Sequence, residues 1–224
     1  MTAPDFSDLD IRALRCDALD DFERRAVIDL FELTYDRASH DYLQRSMQRL
    51  RFLALALHGD TPAGFAVADV RRMALPRLGV KVVALAGISC IAPPFRRRGL
   101  FRRLEELAGA ASGVERGDDR WLACGRMAHP ASMRILGRDP SVVPRPGVSP
   151  TPWQREVGLT VAAAYGSTLD PETFVCVGTG TPVGYPKLEV DATAEEWALF
   201  DRVDRDRGDS LLTIAWRPDA PAGW

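Results

Sequence analysis

The sequence predicts an α/β (α+β) fold, one sheet flanked by helices, and three observations carry that reading. Two runs of helical periodicity near the start are followed by three strand-like runs separated by turn signals. The third of these runs, VKVVALAGISCIA, is too continuously apolar to be a strand with one wet face. It stops at Pro93-Pro94, and a basic loop then leads straight into an amphipathic helix.

Each element follows in order. Residues 11–16 (IRALRC) form a first strand, with Ile11, Ala13 and Arg15 on one face. Asp20 caps a helix in which Phe22, Ala26, Leu30 and Leu33 recur at helical spacing beside Val27 and Phe31. Ser39 caps a second helix that turns Tyr42, Leu43, Met47 and Leu50 inward. The break at Gly59-Asp60-Thr61-Pro62 divides two extended runs into a hairpin. Residues 75–79 (LPRLG) turn the chain into the long apolar strand. Leu100, Leu104 and Leu107 then mark the inner stripe of the helix after the basic loop, with Phe101 and Ala108 beside it. A strand at residues 121–127 and a short helix in HPASMRILGR follow. Residues 139–152 are rich in Pro and Gly and read as a draping loop. Beyond it come a helix over residues 153–165 ended by Gly166, and a strand in TFVCVGTG. A strong helix follows, with a Thr193–Glu196 capping box and a Trp197, Phe200, Val203 stripe. Gly208-Asp209-Ser210 then turns into a last strand, LLTIAW.

Composition excludes several classes. The chain has 224 residues, 46% hydrophobic and 27% charged, with a net charge of −2, which fits a globular protein rather than a disordered one. That balance gives no drive towards nucleic acid or an anionic membrane, so any anion binding must be local. Only Lys81 and Lys187 are lysine; an excess of Arg this general reflects coding bias as readily as chemistry. No apolar run approaches the roughly 18 residues of a membrane span. The first ten residues are acidic and lack the basic start and apolar core of a secretion signal. Cys16, Cys90, Cys124 and Cys176 are widely spaced without a CxxC pair, so no metal site is expected. A cytoplasmic location is expected.

The informative segment is GISCIAPPFRRRGLFRRLEEL, residues 87–107. Backbone N–H groups at the start of its helix have no intrahelical acceptor. The helix dipole adds positive charge there, and Gly99 removes a side chain that would block close approach. Together with the arginines these features form a cradle for a phosphate or diphosphate. The competing reading is a basic helix start on a solvated face; the preceding buried strand and double proline favour the cradle.

Ile91-Ala92-Pro93 followed by Arg96-Arg97-Arg98-Gly99-Leu100-Phe101 resembles the acyl-CoA diphosphate loop of the GCN5-related N-acetyltransferase (GNAT) superfamily, whose signature is Arg/Gln-x-x-Gly-x-Gly/Ala. Phe101 departs from the usual Gly or Ala and fits only with its ring turned inward and its N–H turned to phosphate. The resemblance covers residues 11–136 in element order. It implies a mixed, mostly antiparallel twisted sheet flanked by helices, with acetyl-CoA or another acyl-CoA as co-substrate. It also implies that the fourth and fifth strands part beside the loop. The pantetheine arm would then lie against Ser89, Cys90 and Ile91, with an N–H near Ile91 polarising the thioester carbonyl. Arg96, Arg97, Arg98, Gly99, Leu100, Phe101 and Arg102 would hold the diphosphate.

The family's usual acid and base are missing. The fourth-strand run contains no carboxylate, and the pattern Asn-x-x-Ala-x-x-Leu-Tyr maps onto residues 129–136, placing Leu136 where a tyrosine is usual. His129, at the Asn position, is either a general base or acid or a helix-start residue that binds cofactor or backbone. Ser132 is a further cofactor contact. Cys90 reads more readily as a buried thiol than as a nucleophile. Tyr35, Tyr42, Tyr165 and Tyr185 are weaker candidates, as is Asp69, which ends the hairpin strand and either binds a cationic acceptor or is merely exposed. The run GTGTPVG at residues 178–184 lacks the Lys-Ser/Thr of a nucleotide loop and reads as a turn.

Three functions compete: an N-acetyltransferase acting on a small-molecule or peptide amine by direct attack, a non-catalytic acyl-CoA-binding protein, and an Arg-rich anionic-surface binder that the charge balance disfavours. Residues 1–138 form the expected core. Residues 139–224 are expected to complete the sheet, narrow the acceptor site or build a homodimer interface.

Overall fold

The computed structural model describes residues 6–116, 120–136, 139–187 and 190–224. The elements, in order, are β1 (Asp10–Arg15), α1 (Asp21–Thr34), β2 (Tyr35–Asp36), α2 (His40–Arg49), β3 (Phe52–His58), β4 (Thr61–Leu75), β5 (Gly79–Ile91), α3 (Leu100–Ala110), β6 (Trp121–Met127), α4 (Pro152–Ala164), β7 (Thr168–Asp170), β8 (Val175–Val177), β9 (Tyr185–Pro186), α5 (Ala194–Ala198) and β10 (Ser210–Arg217). Short 3-10 turns occupy Pro93–Phe95 and Pro130–Leu136.

Eight strands make one sheet in the order β1-β3-β4-β5-β6-β10-β8-β7, and β2 pairs with β9 in a separate two-stranded sheet. Every adjacent pair in the large sheet is antiparallel except β5 with β6. That exception follows from the chain: β5 and β6 are joined by a crossover through α3, which returns the chain parallel. The sheet is thus mixed and mostly antiparallel, as expected.

Its faces are packed differently. Alanines 54, 56, 66 and 68 pave one face of β3 and β4, where small side chains let Leu100, Leu104 and Ala108 of α3 lie close. The larger cluster joins α1, α2 and α4 to the sheet through Leu30, Phe31, Leu43, Val157 and Val161. The capping at Asp20, Ser39 and Thr151 is the local chemistry that starts these three helices; Asp20 and Thr151 form full capping boxes.

Several expectations are corrected. Phe22 and Leu33 lie on the outer face of α1, exposed, so its inward stripe is Ala26, Val27, Leu30 and Phe31. In β1 the side chains that reach the core are Ile11 and Leu14, while Ala13 and Arg15 are exposed. Leu107 of α3 is only half buried. The Thr193–Glu196 capping box forms, but α5 ends after five residues, and Phe200 is buried from the turn beyond it. The strand expected in TFVCVGTG forms as β8 but is confined to Val175–Val177, and it pairs with β7, which lies before that segment. Asp69 does not end its strand, because β4 runs on to Leu75.

Residues beyond 139 complete the sheet, since β10 lies between β6 and β8, paired from Leu211↔Met127 to Arg217↔Trp121. The expected boundary at residue 138 and the start of the chain at residues 1–5 lie outside the described residues.

Candidate functional site at the parting of two strands

The basic loop ends in an unusual backbone. Arg97 has φ 62° and Gly99 φ 82°, so left-handed residues alternate with an ordinary one just before α3. Such alternation turns successive N–H groups towards one point. Among the described residues no acceptor meets the backbone N–H of any residue from 97 to 102, and no side chain caps α3. Arg97 and Arg98 are exposed and bonded to nothing in the described residues. Arg102 pairs with Glu106 at 2.8 Å along the helix. Arg96 is committed elsewhere: its Nε donates to the Ile91 carbonyl at 3.0 Å and its Nη1 to the Lys187 carbonyl at 3.2 Å. Leu100 is buried, anchoring the helix start. The Phe101 ring is half buried and joins neither apolar cluster, so the inward ring that the sequence requires is only partly realised.

Beside this loop β5 and β6 part. Their parallel pairing runs from Val82↔Trp121 to Ala86↔Gly125 and stops. A register shift against β4 falls at the same place, where Ala86 opposes Ala68 but Ser89 opposes Ala66, so one extra residue of β5 bulges out. Gly87 permits it: a Cβ there would meet Leu50 Cδ1 at 2.6 Å and the Val67 carbonyl at 2.8 Å. The Ala92 N–H donates to the Ala63 carbonyl at 2.9 Å. Antiparallel pairs alternate, so Cys90 exchanges bonds with Phe65, whereas the main-chain groups of Ser89 and Ile91 point away from β4 into the gap. Ser89 Oγ is buried with no partner in the described residues. A free strand edge, an orphaned hydroxyl and a cradle of unbonded amides therefore adjoin one another. They fit an extended arm that carries amide groups and leads to a diphosphate, as the pantetheine arm of acyl-CoA does.

Cys90 of the same strand is buried, and that burial pushes its thiol up to about 12, with Thr34 and Arg96 pulling it partly back. It is therefore protonated at neutral pH and a poor nucleophile.

Tyr165, at the C-cap of α4, reaches the fork itself. Its hydroxyl lies 2.9 Å from the Ala86 carbonyl and 3.1 Å from the Cys124 carbonyl, sharing one proton between the two strands where they separate. Burial raises the phenol well above its ordinary range. The sequence pattern directed attention to Leu136, which lies in the 3-10 turn Pro130–Leu136; the long helix that follows β6 is α4, and it delivers Tyr165.

On the α1–α2 side stand Tyr35, Tyr42 and Arg126. Arg126, the first residue of β6 beyond the fork, donates through Nε to Ser210 Oγ at 2.8 Å, and its guanidinium lies 5.6 Å from the Tyr42 ring centre. Asp69 is fully sealed and bonded by Arg51 at 2.8 Å and Arg71 at 2.9 Å. Burial would raise its carboxyl, but the two guanidiniums outweigh that and hold it below the usual range. It is a structural ion pair rather than a binder of a cationic acceptor.

His129 follows β6. Its Nδ1 accepts the Ala131 N–H at 3.1 Å, and its ring meets Trp197 edge-on at 5.2 Å. Burial, then Arg205 and Arg134, lower its pKa, so the ring is neutral near pH 7. Ser132 is half buried in the adjoining turn and donates its N–H to the His129 carbonyl at 3.0 Å. The β2–β9 pair places Tyr185–Pro186 against Tyr35–Asp36, and the Tyr185 hydroxyl bonds the Arg205 carbonyl. Two surface grooves, of about 320 Å³ beside Arg15, Gln44 and Arg51 and about 480 Å³ beside Asp139, Pro218 and Trp224, include none of these residues. Among the described residues no group of three or more His, Cys, Asp or Glu is placed to hold a metal ion.

No family model and no curated protein matches the chain. Among solved structures, the ribosomal-protein-S18-alanine N-acetyltransferase from Escherichia coli is 12% identical, over 96% of this chain and 99% of that one, with a TM-score of 0.42. The loading GNATL domain of CurA from Lyngbya majuscula is 15% identical over 92% of this chain and 96% of that one, with a TM-score of 0.39. The aminoglycoside acetyltransferase meta-AAC0020, from an uncultured soil metagenomic sample, is 17% identical over 58% of this chain and 84% of its own, also at 0.39. Taken on its own strand order, with a parallel pair that parts beside an uncapped basic loop, this chain has the fold that the GNAT resemblance implies.

Proposed function

We propose that the chain is an acyl-CoA-dependent N-acyltransferase that moves an acetyl group from acetyl-CoA to an amine by direct attack within a ternary complex. The observation that carries this is the junction of the unbonded amides of residues 97–102 with the free edge of β5 at Ser89 and Ile91. The amides and the exposed Arg97 and Arg98 bind the diphosphate. The edge groups of Ser89 and Ile91 pair with the pantetheine amides in the manner of an added strand. The Ile91 N–H, free because Arg96 occupies only the carbonyl of that residue, faces the thioester oxygen and steadies charge developing there. Orientation in the gap supplies much of the remaining acceleration.

The acceptor enters from the side of Tyr35, Tyr42 and Arg126. For proton transfer, His129 is the side chain the sequence offers, yet its Nδ1 lone pair is held by Ala131, which leaves its other nitrogen as a donor. We therefore assign His129 to shaping the wall against Trp197 and leave deprotonation of the amine to water. The same observation, with the Tyr165 proton shared between strand carbonyls, favours the alternative of an acyl-CoA-binding protein without turnover. A cytoplasmic location and a homodimer belong to the same proposal; the four buried free cysteines support a reducing compartment.

Titration calorimetry with CoA and acetyl-CoA, followed by thiol release with a panel of amines, tests the reading. Heat of binding and amine-dependent thiol release are expected. Binding without release selects the non-catalytic alternative, and no heat with either ligand removes both.

A further inference from the structure

Several carboxylates sequestered by the fold are each paired with a cation. Asp69 is held by Arg51 and Arg71, Asp209 by Arg207 and the Gly178 and Asp204 amides, and Asp139 by Arg217. Arg126 stands apart. It is half buried, and among the described residues no carboxylate forms an ion pair with it. The ionisable groups that act on it are Tyr42, Cys176 and Tyr165, and none of them is a carboxylate. One donor, Nε–H, is used, on Ser210. Among the described residues the terminal nitrogens have no partner, and they are not among the sealed orphan atoms there, which are Ser89 Oγ, Arg155 Nε and Trp216 Nε1; they are therefore reachable from solvent. The Tyr42 hydroxyl is in the same position, unbonded and not sealed.

Location gives this cation a purpose. Arg126 follows Gly125, the last residue of β6 paired with β5, and shares its strand face with buried Cys124 in the cluster packed by α1, α2 and α4. Its guanidinium lies against the ring of Tyr42, a residue of α2, whereas the amide cradle belongs to α3, which packs on the alanine-paved face. The diphosphate and Arg126 thus belong to opposite sides of the fork. A second anion must be looked for in the acceptor, because an unneutralised guanidinium is costly to shield from water and its planar pair of donors matches a carboxylate.

We propose that Arg126, assisted by the Tyr42 hydroxyl, anchors a carboxylate on the acceptor, so that the acceptors are amines carrying a nearby carboxylate, as free amino acids do. This rests on the transferase reading above for its acceptor, though not for the anion site itself. Ser210 fixes the guanidinium through Nε, leaving the Nη pair to form two parallel bonds. The amine is then held at one distance from the fork.

The test uses the full chain with matched pairs, each of the twenty amino acids against its amide. The wild type is expected to acetylate carboxylates with a kcat/KM about 10- to 100-fold above that of the amides, the range set by charge-assisted hydrogen bonds. In Arg126→Met that preference is expected to vanish, with the loss falling on the carboxylates far more than on the amides and CoA binding by calorimetry unchanged. Arg126→Lys is expected to keep part of the preference and Tyr42→Phe to lower it severalfold, with melting curves confirming that each variant is folded. A binding arm measures N-acetyl amino acids against their amides by saturation-transfer NMR. No preference in either arm, equal loss on both acceptors, or loss of CoA affinity in Arg126→Met would overturn the proposal. Arg126-dependent binding of N-acetyl amino acids by a protein that takes no CoA would leave the anion site standing and remove the transferase reading.

Discussion

Gly99 stands at φ 82°, in the left-handed region where a β-branched side chain is strained by about 1–2 kcal/mol. Gly99→Val is expected to turn the amides of residues 97–102 out of register and to lower CoA affinity about tenfold or more by calorimetry, while the circular dichroism of the folded state is preserved. Glu105 on α3 makes a different prediction. Burial raises its carboxyl to about 7, Arg116 opposing and Glu106 adding to the shift. Its pKa is higher folded than unfolded, so its contribution is fully present below about pH 4.5 and is lost as pH rises through about 7. Denaturant titrations of wild type are expected to lose roughly 3 kcal/mol from this group across that window, a loss that Glu105→Gln abolishes. At this scale the sequence was legible where chemistry is local: Asp20, Ser39 and Thr193 cap as their spacing implied. It was illegible at Arg126, one arginine in an Arg-rich chain, whose lack of a counter-charge exists only once β6, β10 and α2 are assembled. Asp69 was misread for the same reason, since Arg51 is eighteen positions away in the chain and adjacent only in the sheet.

The decisive element is β5. Its bonds to β4 continue through the bulge, while its bonds to β6 end at Ala86. Gly87→Ala would drive a methyl group into the Val67 carbonyl and the Leu50 side chain, and is expected to cost about 1–3 kcal/mol in denaturant titration and to weaken CoA binding by shifting the edge of Ser89 and Ile91. The double proline and the continuous apolar run made the end and the burial of this strand readable. The bulge was not, because it depends on which residues of β4 lie opposite. Helix α5 shows the converse. Its capping box fixed the start, but the stripe that promised a long helix is satisfied when Phe200 is buried from a turn.

At the scale of the molecule, residues 139–224 are part of the sheet. Without β10 the outer edge of β6 would expose its backbone beside Leu122 and Cys124, both buried in the full chain. A fragment of residues 1–138 is expected to lack a cooperative melting transition, whereas the full chain melts in one step; a sharp transition in the fragment would show that the first part folds alone. The tail is tied in further where Trp224 donates to the Ser141 carbonyl and stacks edge-on with Trp153 and Trp216. Sequence periodicity identified these strands and helices singly; their insertion order belongs to long-range pairing, which a single chain does not display.

The Tyr165 hydroxyl carries one more implication. A phenol wedged at the crotch of two diverging strands acts as a spacer built into the frame, so the slot stands ready before any guest arrives. Association then demands little rearrangement of the backbone. Amide hydrogen exchange at Ala86 and Gly125 should consequently be as slow in the empty protein as in the loaded one, with the guest's protection confined to the lips of the slot.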